Sequence, residues 1–263
     1  MTAVGTADNL HASASRITGL ADFGPDDYTD GLAVLVESYA RDAELTPAGE
    51  KATRALLRGA LMARLLGEAG WQAHPGYAEV AVERPVFVTG LPRTGTTALH
   101  RLLVADPAHQ GLELWLAEAP QPRPPRAAWA DDPVFQYIAA ACARHHVEHP
   151  EFMGVHYVAA DQVEECWQLL RQSMRSVSFE CLAHLPTYSA WLRDQDWTGA
   201  YRRPASFSPI SCRLRRCRRY APVQSCSRNH AEYVGRCARH SNETERIDCR
   251  SSCQHSSTWS AAM

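Results

Sequence analysis

The spacing of apolar residues predicts two amphipathic helices in the first third of the chain. The first runs from about Asp27 to Asp42, because its apolar residues recur at positions i, i+3, i+4 and i+7 and share one face. That face carries Leu32, Leu35, Val36 and Tyr39. The second runs from 47 to about 68, with Thr46 as its N-cap and Pro47 as its first residue. Both are expected to form a helical extension packed on the rest of the protein.

Weaker patterns indicate other elements. Residues 1–25 are small and polar, so a partly ordered arm with a short helix near Leu10 to Ile17 is expected. Asp132-Pro133 opens a helix that runs to about His145. The short apolar run Gly111–Leu116 predicts a strand, in which Trp115 lies either in the core or at a substrate pocket. Further helices are predicted at about 163–174, 177–184, 187–195 and 197–203.

A strand, a glycine turn and a helix follow one another between Pro85 and Leu103. The β-prone run Val86–Thr89 ends at Gly90, as a buried parallel strand would. The helix after the turn has one apolar side, formed by Ala98, Leu99, Leu102 and Leu103. The turn itself reads Gly-x-x-x-x-Gly-Thr-Thr, a spacing that directs backbone N–H groups towards an anion at a helix N-terminus.

This turn departs from the nucleotide P-loop at one position. The P-loop pattern G-x-x-x-x-G-K-[ST] requires a lysine where this chain has Thr96. The cation lies three residues earlier, at Arg93, where a guanidinium can make a bidentate contact to phosphate or sulfate. A P-loop phosphotransferase remains an alternative, although it would lack the lysine that reaches the terminal phosphates.

Leu91-Pro92-Arg93-Thr94-Gly95-Thr96-Thr97 resembles the 5′-phosphosulfate loop of sulfotransferases that use PAPS (3′-phosphoadenylyl sulfate). The run from Glu83 to Pro107 is similar to actinobacterial sulfotransferase family proteins, and the resemblance spans about residues 15–203. It implies an α/β fold, P-loop-like and three-layered (α/β/α) with a parallel sheet. It also implies PAPS as the cofactor, held by Gly90, Leu91, Pro92, Arg93, Thr94, Gly95, Thr96 and Thr97.

The segment from His156 to Cys166 resembles a second part of that family, with Val163 where proline is usual. Sulfuryl transfer needs a base that takes the acceptor hydroxyl proton. The resemblance makes His156, Glu164 and Glu165 the candidate bases, with Arg93 stabilising charge on the leaving phosphate. Alternatively, the two glutamates occupy the first turn of a helix, where acids complement the helix dipole.

The composition changes after residue 203. The last 60 residues hold 10 arginines, 4 acids and 6 of the 9 cysteines, whereas the body holds 17 basic and 25 acidic residues. A segment so poor in large apolar residues is predicted to be low in order, and out-of-frame translation is the preferred interpretation. The predicted domains are therefore a helical extension (1–82), a partial sulfotransferase domain with an incomplete C-terminal half (83–203) and a tail (204–263).

These features set the functional expectations. The resemblance implies transfer of a sulfuryl group from PAPS to a small-molecule or lipid alcohol, and the aromatic-rich segment from Phe179 to Tyr201 could roof an apolar acceptor site. A non-catalytic remnant of the same fold is the other alternative, because the strands that hold the cofactor 3′-phosphate are not recognisable after residue 203. Near-zero net charge (−2) gives no case for nucleic acid.

The chain also lacks several localisation and metal signals. No signal peptide and no apolar run of about 18 residues is evident, so no stable membrane insertion and a cytoplasmic location with reduced thiols are expected. Ordinary helix-end cations explain His145, His146 and His149, and no Cys-x-x-Cys pair occurs. No metal site is therefore predicted.

Overall fold

The computed structural model describes residues 4–76, 86–90, 94–154, 156–201, 203 and 223–225. Helices account for most of these residues, and two short strands form a parallel pair. In chain order the elements are α1 (Ala7–Thr18), α2 (Thr29–Arg41), α3 (Pro47–Ala73), β1 (Val88–Gly90), α4 (Thr96–Ala105), α5 (Leu114–Glu118), α6 (Pro133–Glu148), α7 (Trp167–Leu170), α8 (Val177–Glu180), α9 (Pro186–Arg193) and β2 (Val223–Ser225). Short 3₁₀ segments lie at Arg126–Asp131, Pro150–Gly154 and Arg171–Ser173.

The helices predicted at about 27–42, from 47 to about 68 and from 132 to about 145 are confirmed, as α2, α3 and α6. Thr46 accepts a hydrogen bond from the Gly49 amide at 3.1 Å, and Pro47 is the first residue of α3. α6 starts in the same way, because the Asp132 carboxylate accepts hydrogen bonds from the amides two and three residues later. The caps recognised in the sequence therefore set the starts of both helices.

The N-terminal arm is packed more firmly than its composition predicts. α1 is 12 residues long, is capped by the Thr6 side chain and buries Leu10 and Ala14 in the main core. The short helix near Leu10 is thus confirmed, whereas the expectation of a partly ordered arm is wrong for residues 4–18. α1 packs against α3, which supplies the other side of the contact. Two buried apolar residues are therefore enough to hold α1 in place.

Two of the predicted elements differ from the structure for one shared reason. The run Gly111–Leu116 is not a strand: α5 begins at Leu114, and only Glu113 forms an isolated antiparallel bridge, with Val163. Because Val163 takes part in this bridge, the helix predicted at 163–174 does not begin there, and α7 starts only at Trp167. A short apolar run without β-branched residues does not distinguish strand from helix by periodicity.

Two hydrophobic clusters form the core. The first combines α1, α2 and α3 with residues 170–200, so it draws side chains from both sides of the predicted boundary at residue 82. Leu61, Phe179 and Tyr188 are among its fully buried members. The second cluster surrounds Trp115, which is fully buried and packs edge-on against Trp129. Trp115 therefore takes the first of its two predicted positions, in the core.

A fully buried arginine, Arg64 of α3, joins distant parts of the chain. Its guanidinium donates hydrogen bonds to the carbonyls of Phe23 (2.6 Å) and Gln172 (3.0 Å) and to the Asp27 carboxylate (2.6 Å). Arg203 is held beside it: it pairs with Glu68 at 2.6 Å, and burial lowers its pKa to about 10. Each buried charge thus has a carboxylate partner, as burial requires.

The sheet within the described residues consists of β1 and β2 in parallel register, with Val88 opposite Val223 and Gly90 opposite Ser225. A parallel strand at this position was predicted, although its partner β2 lies in the segment predicted to be low in order. The three-layer arrangement and the domain boundaries stay predictions. The tail cysteines lie outside the described residues.

The apolar side of α4 is not buried in the way its pattern suggests. Leu102 is 72% exposed, Ala98 is exposed as well, and His100 is the residue of α4 that is buried. Across the described part of the chain, no helix combines the length and apolar character needed to span a bilayer.

Candidate functional site

The strand–turn–helix unit around residue 90 has the backbone geometry of a tight loop. A Cβ atom on Gly90 would come within 2.8 Å of Thr94 Oγ1 and of Thr96 Cγ2, so only glycine allows this close approach. Gly95 has φ = 90°, in the left-handed region, and immediately precedes α4. The two glycines of the sequence pattern are therefore needed for different reasons, Gly90 for the close approach and Gly95 for its positive φ. Leu91, Pro92 and Arg93 lie outside the described residues.

The N-terminus of α4 is suited to an anion. Gly95 is its N-cap and provides no side-chain cap hydrogen bond, and the first turn carries no acidic residue. Thr94 and Gly95 are exposed, and Thr96 and Thr97 are half-buried. Such an end presents backbone N–H groups and the positive end of the helix dipole to a negatively charged ligand.

The segment that carries the candidate bases lies against α4. Arg101 of α4 donates a hydrogen bond to the Tyr157 carbonyl at 2.8 Å, next to His156. A Cβ on Gly111 would lie 2.8 Å from Val104 Cγ1 of α4 and 2.5 Å from Val163 Cγ1, so the chain passes closely between them. The structure thus brings the loop helix and the predicted base segment together.

Glu164 and Glu165 precede α7 and are both buried, so they do not occupy a helix first turn as the alternative interpretation proposed. The Glu164 carboxylate accepts a hydrogen bond from the Glu165 amide at 3.0 Å. Its other oxygen lies 3.9 Å from His156 Nε2. Burial, and then the neighbouring Glu164 charge, raise the pKa of Glu165 to about 7. A carboxyl with this pKa exchanges protons readily near neutral pH.

A second charged pair, which the sequence pattern does not predict, lies beside these glutamates. Arg171 pairs with Glu118 at 3.4 Å and donates a hydrogen bond to Ser178 Oγ at 2.9 Å. Burial lowers the pKa of Arg171, and burial raises the pKa of Glu118. No signal in the sequence points to this pair, because Glu118 lies at the end of a helix that the pattern predicted as a strand.

The histidines at the end of α6 make aromatic and charge contacts. His145 lies 5.1 Å from His149 between ring centroids, and His146 stacks on Tyr157 at 4.9 Å. His149 Nδ1 is 3.4 Å from Glu151. Within the described ranges, no group of three or more His, Cys, Asp or Glu side chains has the arrangement of a metal site.

A cavity of about 460 Å³ opens between the end of α8 and one face of α9. Its wall combines apolar Ala183, Leu185 and Pro186 with polar groups of Cys181 and Arg193. The aromatic residues of the same region, by contrast, pack into the main core, as Tyr188 and Trp197 do. The cavity thus lies within the segment predicted to roof the acceptor site, but none of the residues given for its wall is a Phe, Tyr or Trp.

Comparison with known proteins identifies relatives of one kind. The Sulfotransferase family model matches residues 85–245. The chain is similar to the crystal structure of sulfotransferase STF1 from Mycobacterium tuberculosis H37Rv, with a TM-score of 0.79 and 51% identity over 86% of this chain and 62% of that one. It is also similar to sulfotransferase STF9 from Mycobacterium avium, with a TM-score of 0.71 and 25% identity over 88% of this chain and 58% of that one. The search of curated proteins gave no match.

Two facts about extent follow from these matches. The chain spans less than two thirds of the length of either solved relative. The family match continues to residue 245, so the resemblance reaches beyond the limit of about 203 that the sequence pattern predicted for it.

Proposed function

This chain belongs to the sulfotransferase family, and we propose that it binds PAPS at the turn from Gly90 to Thr97 and transfers the sulfuryl group to an acceptor hydroxyl. The observation that carries the proposal is the β1–turn–α4 unit, whose glycines and open helix N-terminus suit a 5′-phosphosulfate. The fold expected for the family is α/β and P-loop-like; the three-layer arrangement is part of the proposal. Family membership favours this function over a P-loop phosphotransferase.

Arg93 is the proposed cation of the site. Its position in the sequence pattern, between Gly90 and Gly95, places it inside the turn, where the guanidinium would contact the phosphosulfate. PAPS, when bound, supplies the sulfuryl group, and the acceptor oxygen displaces the 5′-phosphate oxygen from sulfur. Loop amides and Arg93 would stabilise the charge that builds on that leaving oxygen.

Glu165 is the base that the geometry favours among the three candidates. It is buried, lies in a segment that packs on α4, and its pKa of about 7 allows it to accept a proton near neutral pH. The other two candidates are near each other: Glu164 Oε2 lies 3.9 Å from His156 Nε2, and Glu164 Oε1 accepts the hydrogen bond from the Glu165 amide. We therefore assign the acceptor hydroxyl proton to the Glu165 carboxylate.

The acceptor is proposed to be a small-molecule or lipid alcohol, bound in the cavity beside α9 with its apolar part against Ala183, Leu185 and Pro186. The cavity is large enough for a ligand of drug-like size, for which about 300–1,000 Å³ is usual.

A cytoplasmic location is also part of the proposal. In the cytoplasm, PAPS and reduced cysteines would both be available.

A second candidate is a non-catalytic remnant that binds the 5′ end of the cofactor only. The observation in its favour is the sequence after residue 203, in which the strands expected for the family are not recognisable. Transfer requires a donor held at both ends, and no 3′-phosphate site is recognisable in the sequence after residue 203. On this candidate, PAP (the product that remains after PAPS loses its sulfuryl group) binds weakly and turnover is absent.

Binding and turnover distinguish these candidates. Calorimetry with PAP should show that Arg93→Ala weakens binding about 10- to 150-fold, as expected for a charge-assisted contact of about 1.5–3 kcal/mol. Arg93→Lys should retain part of the affinity, and Arg16→Ala, an exposed site on α1, should retain all of it. Equal affinities in wild type and Arg93→Ala would refute the site.

A radiolabelled-PAPS transfer assay over a panel of lipid and sterol alcohols completes the test. Product formation that is lost in Glu165→Gln supports the enzyme. PAP binding without product formation supports the remnant.

A further inference from the structure

We propose that Gly111 is a positioning residue for sulfuryl transfer, because a glycine there lets residues 160–165, the glutamate segment, close onto α4. This inference rests on the proposed function, in which α4 begins at the turn that holds the donor and Glu165 takes the acceptor proton. Gly111 acts through the contact between these two elements. It thereby sets the separation of the groups that they carry.

One stripe of α4 connects the turn to this contact. Thr96, His100 and Val104 lie at positions i, i+4 and i+8 of the helix, so they share one side. At the start of the stripe, Thr96 Cγ2 lies 2.8 Å from the position of a Cβ on Gly90. Further along, His100 Nε2 and Val104 Cγ1 lie 3.3 and 2.8 Å from the position of a Cβ on Gly111. The backbone therefore approaches the same stripe closely at two glycines.

Gly111 also meets the glutamate segment. Val163 Cγ1 lies 2.5 Å from the position of the same Cβ, which is closer than real Cβ atoms come to a neighbour. The next residue, Glu164, donates its amide to the Leu112 carbonyl at 2.9 Å and so ties the segment to the backbone beside Gly111. Gly111 is therefore in contact with both the donor helix and the residue that precedes the two glutamates.

The backbone of Gly111 is held in this contact by Arg123. The guanidinium donates hydrogen bonds to the Gly111 carbonyl at 2.7 Å and to the Glu113 carboxylate at 2.5 Å, and the Arg123 side chain is only 9% exposed. The valine side chains are stiff as well, because branching at Cβ restricts χ1. A methyl group added at position 111 would therefore displace Val163 or α4, and either movement separates the glutamates from the donor helix.

The displacement is large enough to affect transfer. Ordinary van der Waals contact begins at 3.4 Å, so the 2.5 Å approach to Val163 must open by about 1 Å. A misplacement of about 1 Å can slow a reaction between positioned groups about 100-fold. Gly111→Ala should therefore lower kcat about 100-fold in the radiolabelled-PAPS assay. The affinity for PAP in calorimetry should be nearly unchanged, because the turn from Gly90 to Thr97 is not altered.

A second substitution distinguishes positioning from a general loss of stability. Val163→Ala alone should also lower kcat, since it leaves a gap in the same contact. Gly111→Ala/Val163→Ala should recover most of the activity, because one methyl group takes the space that the other vacates. Gly59→Ala is the matched control: a Cβ at that position meets nothing within 4 Å, so kcat should be unchanged.

Amide hydrogen exchange, recorded without cofactor, tests the contact independently of turnover. Gly111→Ala should speed exchange of the Glu164 amide by about tenfold or more, since overpacking by one methyl group weakens the pairing with Leu112. The double variant should restore slow exchange, and Gly59→Ala should not change it. Thermal melts establish that each variant is folded. If Gly111→Ala does not fold, recovery of folding and of slow exchange in the double variant carries the comparison.

The possible results separate this proposal from the proposed function. Wild-type exchange of the Glu164 amide in Gly111→Ala would overturn the role of Gly111, and so would changes that the double variant does not reverse. Equal losses of PAP affinity and kcat would overturn it as well, because Gly111 would then support the turn itself. A wild-type chain that forms no product would contradict the proposed function, whereas the exchange measurements test Gly111 in that case too.

Discussion

Replacing Glu165 with glutamine should stabilise the protein at neutral and higher pH, although the residue is proposed as the base. The native state holds the pKa of this carboxyl at about 7 instead of its ordinary 4.5, with burial as the main cause and the Glu164 charge as the second. One pKa unit corresponds to about 1.4 kcal/mol. Ionised Glu165 therefore costs the native state up to about 3 kcal/mol, which the neutral glutamine side chain does not.

The pH dependence follows from the direction of the pKa change. Between the unfolded pKa near 4.5 and the native pKa near 7, the native state binds more protons than the unfolded state. The contribution of Glu165 to stability therefore falls as pH rises through this window, and it is constant above it. Glu165→Gln should match wild type near pH 4 and exceed it by up to about 3 kcal/mol near pH 8.

Urea unfolding of both proteins across this range, followed by circular dichroism, measures the difference. Glu37→Gln serves as the control, because the Glu37 side chain is 61% exposed and pairs with Arg41 on the surface of α2. Its stability difference from wild type should be small and should not grow between pH 4.5 and 7. The reasoning is refuted if Glu165→Gln gains no stability relative to wild type as pH rises.

Three further predictions concern the core and the tail. Deleting residues 204–263 should shift the melting temperature by only a few degrees, because the described members of both hydrophobic clusters lie before residue 204. The β1 amides should exchange faster without β2, and loss of a cooperative transition would contradict the prediction. Trp115→Ala should cost about 3–5 kcal/mol in urea unfolding, and Trp115→Phe clearly less, since the side chain is fully buried. Asp132→Ala should cost about 1 kcal/mol by removing the cap of α6, and Asp131→Ala, next to it, should cost little.

Local signals in the sequence were sufficient for the longer helices and for the glycine turn. α3 and α6 start where a capping residue precedes proline, and both signals act through atoms only a few residues apart. Gly90 and Gly95 likewise have local reasons, a close approach and a positive φ. Elements of this kind are predictable because the chemistry that determines them is contained in one short segment.

The parts that the sequence did not predict depend on contacts between distant segments. Pairing of residues 112–114 with 162–164 decides where α5 and α7 begin, and neither segment alone carries that information. The same pairing buries Glu164 and Glu165 before the helix instead of within it. The Glu118–Arg171 pair spans 53 positions, so only the fold brings it together.

The buried guanidinium of Arg64 has a consequence for the order of folding. Its hydrogen-bond acceptors come from residues 23–27 on one side and from residue 172, 108 positions away, on the other. Until both segments arrive, the guanidinium must stay hydrated, so the centre of α3 cannot lose its water in a local step. Long sequence separations slow folding, because the chain entropy of closing each loop is lost before the contact forms. The main core is therefore expected to close late, in a single event that includes the second half of the chain.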